Sequence, residues 1–580
     1  MPVTLIHRIP FMLNPLPANT TDLLNWAWPA IEPHFQELTT RSIDSSTVAE
    51  WLADWSRLSA CLSELYARLY VATTVDTTDE AAQQSFNSFL DHIFPPSQSA
   101  EQTLKEKLLA SGLEPEGFAI PLRNMRAEAA LFREANLPLI ADEQKIGTEY
   151  DKIIGAQTVL WEGKETTLSQ LQPVYQDPDR AKRERAWRLS MERRLADRAA
   201  INTRWAQVLR VRLNIAENTG LGRDYRAYRW RQQLRFDYSP DDSKSFQRAI
   251  EEVVVPAAVR RYERRRQRLG LDTLRPWDLE VDTRGQPPLR PYATVAELNE
   301  KTSAIFHRVD SQLGAHFDTM MRESLLDLDN RKGKAPGGYC TGYYAIKRPF
   351  IFMNAVGLHE DVQTLLHEGG HAFHVFETAT LPYFHQLQVG MEFAEVASMG
   401  MELLAAPYLS AAQGGYYSEA EAARARAEHL EGLVLFWPYM AVVDAFQHWV
   451  YENPDDALNG DACDAHWAAL WQRFMRGVDW SGLEPEMMTG WHRKAHIHQL
   501  PFYYIEYGLA QLGAVQVWRN ALSNQAQAVA NYRRALALGG TIPLPQLYAT
   551  AGARFAFDAE TLHDAVTLIE KTLAELESTD

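Results

Sequence analysis

The sequence predicts a mainly α-helical fold that contains one small β-sheet. Long stretches place apolar residues three and four positions apart, which is the spacing of one helix face. Runs of β-branched and aromatic residues are few and short, so little strand is expected. No internal repeat with a period of about 20 to 50 residues is visible, which excludes a repeat solenoid.

Four segments carry the clearest helical pattern: residues 46–70, 181–217, 417–452 and 559–577. The first opens on Ser46 and Thr47, which suit a helix N-terminus. The second contains neither proline nor glycine and therefore predicts one extended helix. The most apolar run, residues 433–443, is roughly half as long as a membrane span and contains a proline. We predict that it is a buried helix.

Two segments favour strands. Residues 158–171, TVLWEGKETTLSQL, place a turn-like Glu-Gly-Lys between two short β-friendly runs and predict a hairpin. Residues 348–356, RPFIFMNAV, form a short apolar and aromatic run. Proline-rich sequence near residue 285 and a weaker break at residues 174–180 punctuate the helical segments.

The charge balance argues against two classes of partner. The chain has 580 residues and a formal net charge of −17. Nucleic acids and anionic membranes select for a positive protein surface, so we expect neither as a partner. The basic cluster at residues 260–268 is interleaved with Glu263, which is typical of a solvated helix face.

The cysteines and the N-terminal segment favour a cytoplasmic protein. Cys61, Cys340 and Cys463 are too few and too scattered for a disulfide framework. The first twenty residues show no basic region followed by a clean apolar core, so we predict no signal peptide.

The stretch LLHEGGHAFH, residues 365–374, carries the strongest chemical signal. Residues four apart lie on one helix face, roughly 6 Å from each other, so His367 and His371 can bind one metal ion. In zinc peptidases, the glutamate after the first histidine takes a proton from the metal-activated water, which predicts this role for Glu368. The alternative is a buried helix whose histidines bond to neighbouring carbonyl groups.

Gly369 and Gly370 lie inside this predicted helix, although glycine destabilises a helix interior by about 1 kcal/mol. We attribute them to the close approach of neighbouring backbone. Because Gly370 immediately precedes His371, we expect Gly370→Leu to damage activity or folding more than Gly369→Ala.

A catalytic zinc site usually has a third protein ligand. Glu377 lies roughly 9 Å along the helix from His371, and His374 lies roughly 10 Å from His367, so both are poor candidates. The remaining candidates share a second amphipathic segment, and spacing alone does not choose among them; they are Glu392, Glu395 and Glu402.

Further motifs accompany the histidine pair. They are RPWD (275–278), GKAPGGYC (333–340), PFIFMN (349–354), DVQTLLHEGGHAFH (361–374), FAEVASMGMELL (393–404) and HIHQLPFYYIEYGLAQLGA (496–514). Together they resemble the oligoendopeptidase F branch of the thimet-oligopeptidase family of zinc metallopeptidases. The resemblance covers about the last 300 residues, whereas the first 180 residues match only in being helical.

The resemblance implies which residues form the site. Glu395 corresponds to the family's third zinc ligand, and Glu392 then becomes a candidate for orienting a histidine ligand. The late segment implies three residues that stabilise the oxyanion, best matched by His496, Tyr504 and Tyr507. Tyr503 and His498 are close enough to leave this register open, and we assign them to substrate binding.

The resemblance also implies how a peptide is held. The segment PFIFMN corresponds to an edge strand beside the zinc helix, to which a peptide substrate can add through main-chain hydrogen bonds. The glycine-containing loop before it would let backbone approach the ligand closely. The substrate-binding residues expected from these segments are Gly337, Gly338, Tyr339, Phe352 and Asn354.

The fold and function implied are those of a neurolysin-like zincin. Two helical halves would flank a deep substrate channel, with a helical N-terminal lid region at 1–180 and a catalytic region at 181–580. One Zn²⁺ per chain, held by His367, His371 and Glu395, would serve the hydrolysis of internal bonds in short peptides. The protein would be a monomer or a homodimer.

Two other functions remain open from the sequence. A helical zinc carboxypeptidase shares the histidine motif, but it would need an arginine or lysine near the site to bind the terminal carboxylate. An inactive helical protein that binds peptides and keeps a metal site is the second alternative.

Overall fold

The computed structural model describes residues 15–331, 334–335 and 337–578, and it confirms the mainly helical fold. Gly333 and Pro336 of the motif GKAPGGYC lie outside the described residues. The helices of the first half are α1 (Thr20–Leu24), α2 (Trp28–Thr40), α3 (Val48–Val75), α4 (Glu80–His92), α5 (Phe94–Ser111), α6 (Ala119–Leu131), α7 (Leu137–Gly155), α8 (Gln172–Tyr175), α9 (Arg180–Ala196), α10 (Arg198–Asn218), α11 (Tyr225–Gln232), α12 (Pro240–Ala249) and α13 (Val255–Arg268).

The second half continues this pattern around the larger sheet. Its helices are α14 (Val295–Val309), α15 (Ser311–Arg322), α16 (His359–Thr378), α17 (Met391–Ala405), α18 (Glu419–Glu452), α19 (Pro454–Ala457), α20 (Gly460–Phe474), α21 (Glu484–Met488), α22 (Ala495–Gln499), α23 (Tyr504–Ser523), α24 (Gln525–Ala537), α25 (Leu544–Thr550) and α26 (Ala559–Ser578). A π-helical segment at Ile250–Val254 joins α12 to α13, and short 3₁₀ turns connect several other helices.

Three of the four predicted helices are confirmed as α3, α18 and α26. The segment 181–217 is instead divided into α9 and α10 at Asp197, where the backbone leaves the helical conformation. The two pieces pack against different partners, α9 against the first strand and α10 against α7, so one straight helix would not serve both. The apolar run 433–443 lies within α18, and none of the helices described here is long and apolar enough to cross a membrane.

The predicted hairpin is confirmed as β1 (Thr158–Trp161) and β2 (Lys164–Thr167), which pair antiparallel. Glu162 and Gly163 make the turn with positive φ angles of 49° and 81°. Two successive positive φ values match the twist of a tight hairpin, and glycine adopts such a φ without strain.

The second sheet corrects one prediction. It contains β3 (Leu326–Asp329), β4 (Tyr339–Tyr343) and β5 (Arg348–Ala355) in the order β3-β5-β4. The PFIFMN segment therefore lies in the central strand, parallel to β3 and antiparallel to β4, and the edge strands are β3 and β4. Its nearly continuous apolar sequence is the composition of a strand covered on both faces.

Packing divides the molecule into several cores that meet near the sheet. One N-terminal core is formed by residues of α1 to α6. A second surrounds the sheet and α14 to α17, and a third surrounds α10 to α13, α18 and α26. Helix α23 contributes to both of the latter, with Leu509 and Leu512 in one and Ala510 and Val517 in the other. We keep the division at residue 180 as a proposal.

Candidate active site

The histidine motif lies in α16, which begins with a well-satisfied N-terminus. The Asp361 carboxylate accepts hydrogen bonds from the backbone N–H groups of Val356 and Leu358, at 2.9 and 2.8 Å. A carboxylate in the first helical turn also interacts favourably with the helix dipole. Apolar residues such as Val362 and Leu366 are fully buried, so the helix is fixed along its length against the sheet.

Helix α16 meets α17 at Gly370 and α14 at Gly369. A Cβ atom added at Gly370 would lie 2.4 Å from the carbonyl oxygen of Ala397 and 2.6 Å from the Cα atom of Ser398. A Cβ atom at Gly369 would instead lie 2.5 Å from the ring of Phe306. Gly370 therefore permits backbone contact with the helix that carries Glu395, and Gly369 permits packing of a side chain.

His367, His371 and Glu395 converge on one point. The Nε2 atoms of the two histidines lie 3.4 and 3.6 Å from the Oε2 atom of Glu395. Ligands bound to zinc at 2.0–2.1 Å with tetrahedral angles lie roughly 3.3 Å from each other. These three side chains therefore fit a zinc ion with a fourth position free, and they form the one group of this kind among the described residues.

Glu402 orients the first histidine, a role that sequence reasoning missed. Its carboxylate accepts a hydrogen bond from His367 Nδ1 at 2.6 Å and lies 2.8 Å from His429 Nε2. A carboxylate on the far nitrogen fixes the ring and the tautomer of a metal-binding histidine. Glu402 follows Glu395 by seven residues, two helical turns, so its position on the same face of α17 was the signal available in the sequence.

Glu392 does not orient a histidine, contrary to the expectation from the resemblance. Its carboxylate accepts a hydrogen bond from the Tyr238 hydroxyl at 2.7 Å and lies 3.4 Å from Arg235 Nε. In α17, Glu395 thus points toward α16, whereas Glu392 points toward the segment between α11 and α12. Glu392 lies three residues before Glu395, a shift of roughly 60° around and roughly 4.5 Å along the helix axis, so its carboxylate meets Tyr238 and Arg235 instead of a histidine of α16.

Arg235 connects this carboxylate to the late aromatic segment. Its side chain is 1% exposed, pairs with Glu506, and donates a hydrogen bond to the carbonyl of Phe502 at 2.6 Å. Phe502 has a φ of 65°, which is strained for a residue with a bulky side chain, and its N–H donates to Gln447 at 2.7 Å. These two hydrogen bonds hold the turn from which the tyrosines enter α23.

Glu368 is buried beside the metal group and close to the edge strand. Burial raises the pKa of its carboxyl to about 7, although the neighbouring His367 and a backbone hydrogen bond from Cys340 oppose that shift. A carboxyl with a pKa near neutrality can both accept and return a proton. The same burial, with the charge of Glu368, raises the pKa of the Cys340 thiol well above its usual range.

The metal ligands carry opposing shifts in the metal-free chain. Burial lowers the pKa of His371 to about 4. Burial also disfavours the protonated form of His367, but its hydrogen bonds to Glu395 and Glu402 outweigh this and raise its pKa well above normal. A histidine must lose its proton to bind a metal, so metal binding at this site releases a proton from His367.

The late segment brings Tyr503 and Tyr507 to the site. Both line the same cleft as the metal group, and the Tyr503 hydroxyl donates a hydrogen bond to Glu395 Oε1 at 3.2 Å. The His496 ring lies beside these tyrosines, 5.8 Å from the Tyr503 ring, but not in the cleft lining. It stays a prediction that His496 stabilises the oxyanion.

Two predicted residues of this segment point elsewhere. Tyr504 is buried, its hydroxyl accepts a hydrogen bond from Lys494 and it does not line the cleft, so its catalytic role stays a prediction without support from this geometry. His498 is buried between Tyr150 and Trp491, with ring separations of 4.3 and 5.6 Å, and does not line the cleft. The cause is helix geometry, because Tyr503 and Tyr507 are four residues apart and share a face that excludes Tyr504.

The predicted substrate-binding loop is only partly at the cleft. Gly338 and Tyr339 line it, and Gly337, with a φ of 93°, precedes them. Phe352 is fully buried and Asn354 donates hydrogen bonds to the carbonyls of Ala335 and Gly337, and neither is among the residues that line the cleft. Asn354 lies in the central strand β5. Its side chain therefore holds the neighbouring loop through these two hydrogen bonds and is not presented at a sheet edge.

The cleft has a volume of about 900 Å³ and lies between the N-terminal helices and the metal side of the molecule. Ser63, Tyr66 and Ala67 of α3 form part of one wall. Glu128, Glu368 and Glu395 are acidic residues of its lining, and the lining residues described include no lysine or arginine. The cleft therefore favours neutral or basic ligands over acidic ones.

Two family models match the chain. The one described as Peptidase family M3 matches residues 174–566, and the one described as Peptidase M3 N-terminal domain matches residues 25–117. The first contains the metal group, Glu368 and the late tyrosines.

Individual relatives agree with these matches. The solved structure of PZ peptidase A with an inhibitor superimposes with a TM-score of 0.85 at 28% identity, over 97% of this chain and 98% of that one. An oligoendopeptidase F homolog of Borreliella burgdorferi is 23% identical over 251 residues, 41% of each chain. The group B oligopeptidase PepB of Streptococcus agalactiae is 30% identical over 140 residues, 24% of this chain and 22% of its own length. The aligned segments thus span less than half of these two curated relatives.

Proposed function

Because the chain belongs to peptidase family M3, we propose that it is a zinc-dependent endopeptidase that hydrolyses internal bonds of short peptides. The observation that carries the proposal is the convergence of His367, His371 and Glu395 with separations that suit tetrahedral zinc, next to the buried Glu368. The similarity to an oligoendopeptidase F homolog and to PZ peptidase A supports the assignment.

The proposed reaction uses Glu368 as the proton carrier. When bound, zinc would lower the pKa of a water molecule toward about 7 and polarise the scissile carbonyl. Glu368 accepts the proton of the attacking water and passes it to the nitrogen of the leaving amine. Its burial keeps the carboxylate away from bulk water, so the proton stays in the site between these two steps.

Tyr503 and Tyr507 are the proposed hydrogen-bond donors to the oxyanion that develops on the scissile carbonyl. Their hydroxyl groups stay protonated, since burial raises the pKa of both above the usual value for tyrosine. Pre-positioned donors of this kind typically contribute about 10²- to 10³-fold to kcat. This assignment replaces Tyr504 by Tyr503 and keeps His496 as a group that packs against both rings.

The peptide is proposed to add to β4, the edge strand that lines the cleft. Pairing with a strand edge uses main-chain hydrogen bonds and therefore tolerates many sequences. An internal bond is the expected point of cleavage, because the lining residues described offer no arginine or lysine to bind a terminal carboxylate. This observation favours the endopeptidase over the carboxypeptidase.

The cellular setting is proposed from the cysteines. Cys61, Cys340 and Cys463 are unpaired, which suits a reducing cytoplasm. A monomer and a homodimer both remain compatible with this proposal, and short peptides are the expected substrates.

One experiment tests the proposal. A quenched fluorescent peptide blocked at both ends is incubated with the wild-type protein, with Glu368→Gln, and with wild-type protein after chelation and zinc return. We expect internal products by mass spectrometry, loss on chelation and recovery with zinc. Glu368→Gln should bind zinc normally but lose at least ~10²-fold in kcat, since it cannot accept the proton.

Three results would count against parts of this proposal. Activity at the wild-type level in Glu368→Gln would contradict the role of Glu368 as general base. Activity unaffected by complete metal removal would contradict the role of zinc. Hydrolysis only of peptides with a free C-terminus would replace the endopeptidase by the carboxypeptidase.

A further inference from the structure

We propose that Tyr66, Tyr70 and Tyr339 form an aromatic subsite that binds one large apolar side chain of the peptide substrate. The inference deepens the proposed function, on which it rests, and assigns part of the substrate preference to helix α3 of the N-terminal region. We refer to these three residues as the tyrosine subsite.

The rings form a continuous surface from α3 to the edge strand. Tyr66 and Tyr70 are stacked in parallel, with centroids 6.3 Å apart and an interplanar angle of 1°. The Tyr70 ring lies 5.8 Å from that of Tyr339, the first residue of β4. Behind them, Phe86 packs against Tyr66 and Tyr70 at 5.6 and 5.9 Å. The surface thus consists of three tyrosine rings, two of which pack against the ring of Phe86.

This surface is exposed where burial would be expected. The side chains of Tyr66 and Tyr70 are 42% and 39% exposed, although aromatic residues dominate protein cores. Tyr66 and Tyr339 line the cleft that contains the metal group. An exposed apolar surface that is continuous with a binding cleft is expected to contact the ligand of that cleft.

The subsite is held rigidly relative to the edge strand. The hydroxyls of Tyr339 and Thr74 are hydrogen-bonded at 2.6 Å, and Arg68 lies over the ring of Tyr343 at 4.0 Å. The Glu64 carboxylate accepts a hydrogen bond from the N–H of Ile346 at 3.1 Å, just after β4. Three successive turns of α3 therefore contact β4 or the turn after it. A rigid aromatic surface binds with little loss of conformational entropy.

The register places the subsite near the scissile bond. Cys340, the neighbour of Tyr339 in β4, lines the cleft together with Glu368. Successive residues of a strand are about 3.4 Å apart, and a paired peptide follows the same spacing. The side chain bound at Tyr339 therefore belongs to a residue within about two positions of the cleaved bond.

The chemistry of the subsite selects its ligand. Three phenol rings offer apolar faces and no formal charge, so an aromatic or large aliphatic side chain is favoured. The described lining of the cleft includes Glu128 and no lysine or arginine, which disfavours an acidic side chain. The expected substrates are neutral or basic peptides with a Phe-, Tyr-, Trp- or Leu-like residue close to the cleaved bond.

The test measures binding separately from turnover. Zinc-loaded Glu368→Gln is titrated with two sets of fluorescent peptides, identical except for phenylalanine or alanine at each position around the bond cleaved by the wild type. We expect phenylalanine at one position within two residues of that bond to tighten Kd by ~10-fold, about 1.4 kcal/mol. Adding Tyr66→Ala and Tyr70→Ala should reduce this preference to below ~3-fold.

Phe94→Ala is the matched control. Phe94 is also an aromatic residue of the N-terminal helices and is 41% exposed, but it does not line the cleft. Its substitution should leave the ~10-fold preference intact. If the double alanine variant is unstable, Tyr66→Leu and Tyr70→Leu keep the bulk, and they should lower the preference for phenylalanine relative to leucine.

The outcomes separate this inference from the proposed function. An unchanged preference for phenylalanine in both the alanine and the leucine variants would overturn the tyrosine subsite while leaving the peptidase in place. A preference for phenylalanine that depends on Tyr66 and Tyr70, in a protein whose hydrolysis of peptides does not depend on metal, would support the tyrosine subsite. The same result would contradict the proposed zinc peptidase function.

Discussion

At the scale of single residues, Glu402 holds the ring of His367, one of the three proposed metal ligands. His367 offers Nε2 to the metal position only while Nδ1 is engaged, and Glu402 engages it at 2.6 Å. Glu402 in turn lies 2.8 Å from Nε2 of His429 on α18. Residues of α16, α17 and α18 thus together fix the orientation of the His367 ring. The pKa of the Glu402 carboxyl falls to about 2, because its hydrogen bonds to the two histidines outweigh the effect of burial.

We predict that Glu402→Gln weakens zinc binding by ~10- to 100-fold, the effect usual for loss of a carboxylate behind a metal-binding histidine. Zinc affinity is measured by competition with a chelator of known affinity. Glu377→Gln is the control, because Glu377 also lies in this region but pairs with Arg533 and contacts no ligand. A zinc affinity equal to that of wild type in Glu402→Gln would show that His367 is oriented by other contacts.

At the scale of elements, the contact between α16 and α17 sets the distance from the histidines to Glu395. The contact requires Gly370, because the backbone of Ala397 and Ser398 occupies the space of a side chain there. The glycine that weakens α16 as an isolated helix therefore allows the third ligand to come within reach. Gly370 is thus the position at which the histidine motif allows α16 and α17 to pack closely.

We predict that Gly370→Ala lowers both zinc affinity and kcat, since the backbone of α17 must move away and carry Glu395 with it. Gly369→Ala meets the ring of Phe306 instead, so its main effect is overpacking, with a loss of about 1–3 kcal/mol of stability. The two variants are compared by zinc titration, peptide hydrolysis and urea unfolding. A larger loss of zinc affinity in Gly369→Ala than in Gly370→Ala would contradict this account.

At the scale of the whole molecule, neutral histidines are buried where separate parts of the chain meet. His385 packs against Trp55 of α3 at 4.2 Å between ring centroids, and burial lowers its pKa to about 3. His492 Nε2 donates a hydrogen bond to Asn202 Oδ1 of α10 at 2.7 Å, and burial likewise lowers the pKa of His492 to about 3. Both contacts join residues more than 250 positions apart in the sequence.

These shifts predict a loss of stability in mild acid. The folded pKa lies below the unfolded value of about 6.5, so the unfolded chain binds more protons and the stability present above pH 6.5 falls as pH decreases. Each histidine should contribute about 1.4 kcal/mol of loss between pH 7.5 and 5.5. Urea unfolding of the metal-free protein at both pH values should show a smaller loss in His385→Phe. The exposed His92→Phe is the control, and an equal loss in all three proteins would contradict the prediction.

The sequence predicted those parts of the fold and site that depend on local spacing. Helical periodicity located α3, α18 and α26, and the four-residue spacing of His367 and His371 placed them on one helix face. It failed where a long-range partner decides the outcome. The division of residues 181–217 follows from two packing partners, and the central position of β5 follows from strands that the sequence signals only weakly.

The sequence by itself determined the helical class and the pairing of His367 and His371 on one helix face, and through the resemblance it proposed Glu395 as their partner. Only the tertiary structure decided that Glu402 and not Glu392 orients His367, that Tyr503 and not Tyr504 faces the cleft, and that the tyrosines of α3 border it. The physical reason is that spacing along a helix says which residues share a face. Which face meets the metal or the substrate depends on how distant helices pack, and the sequence states that only indirectly.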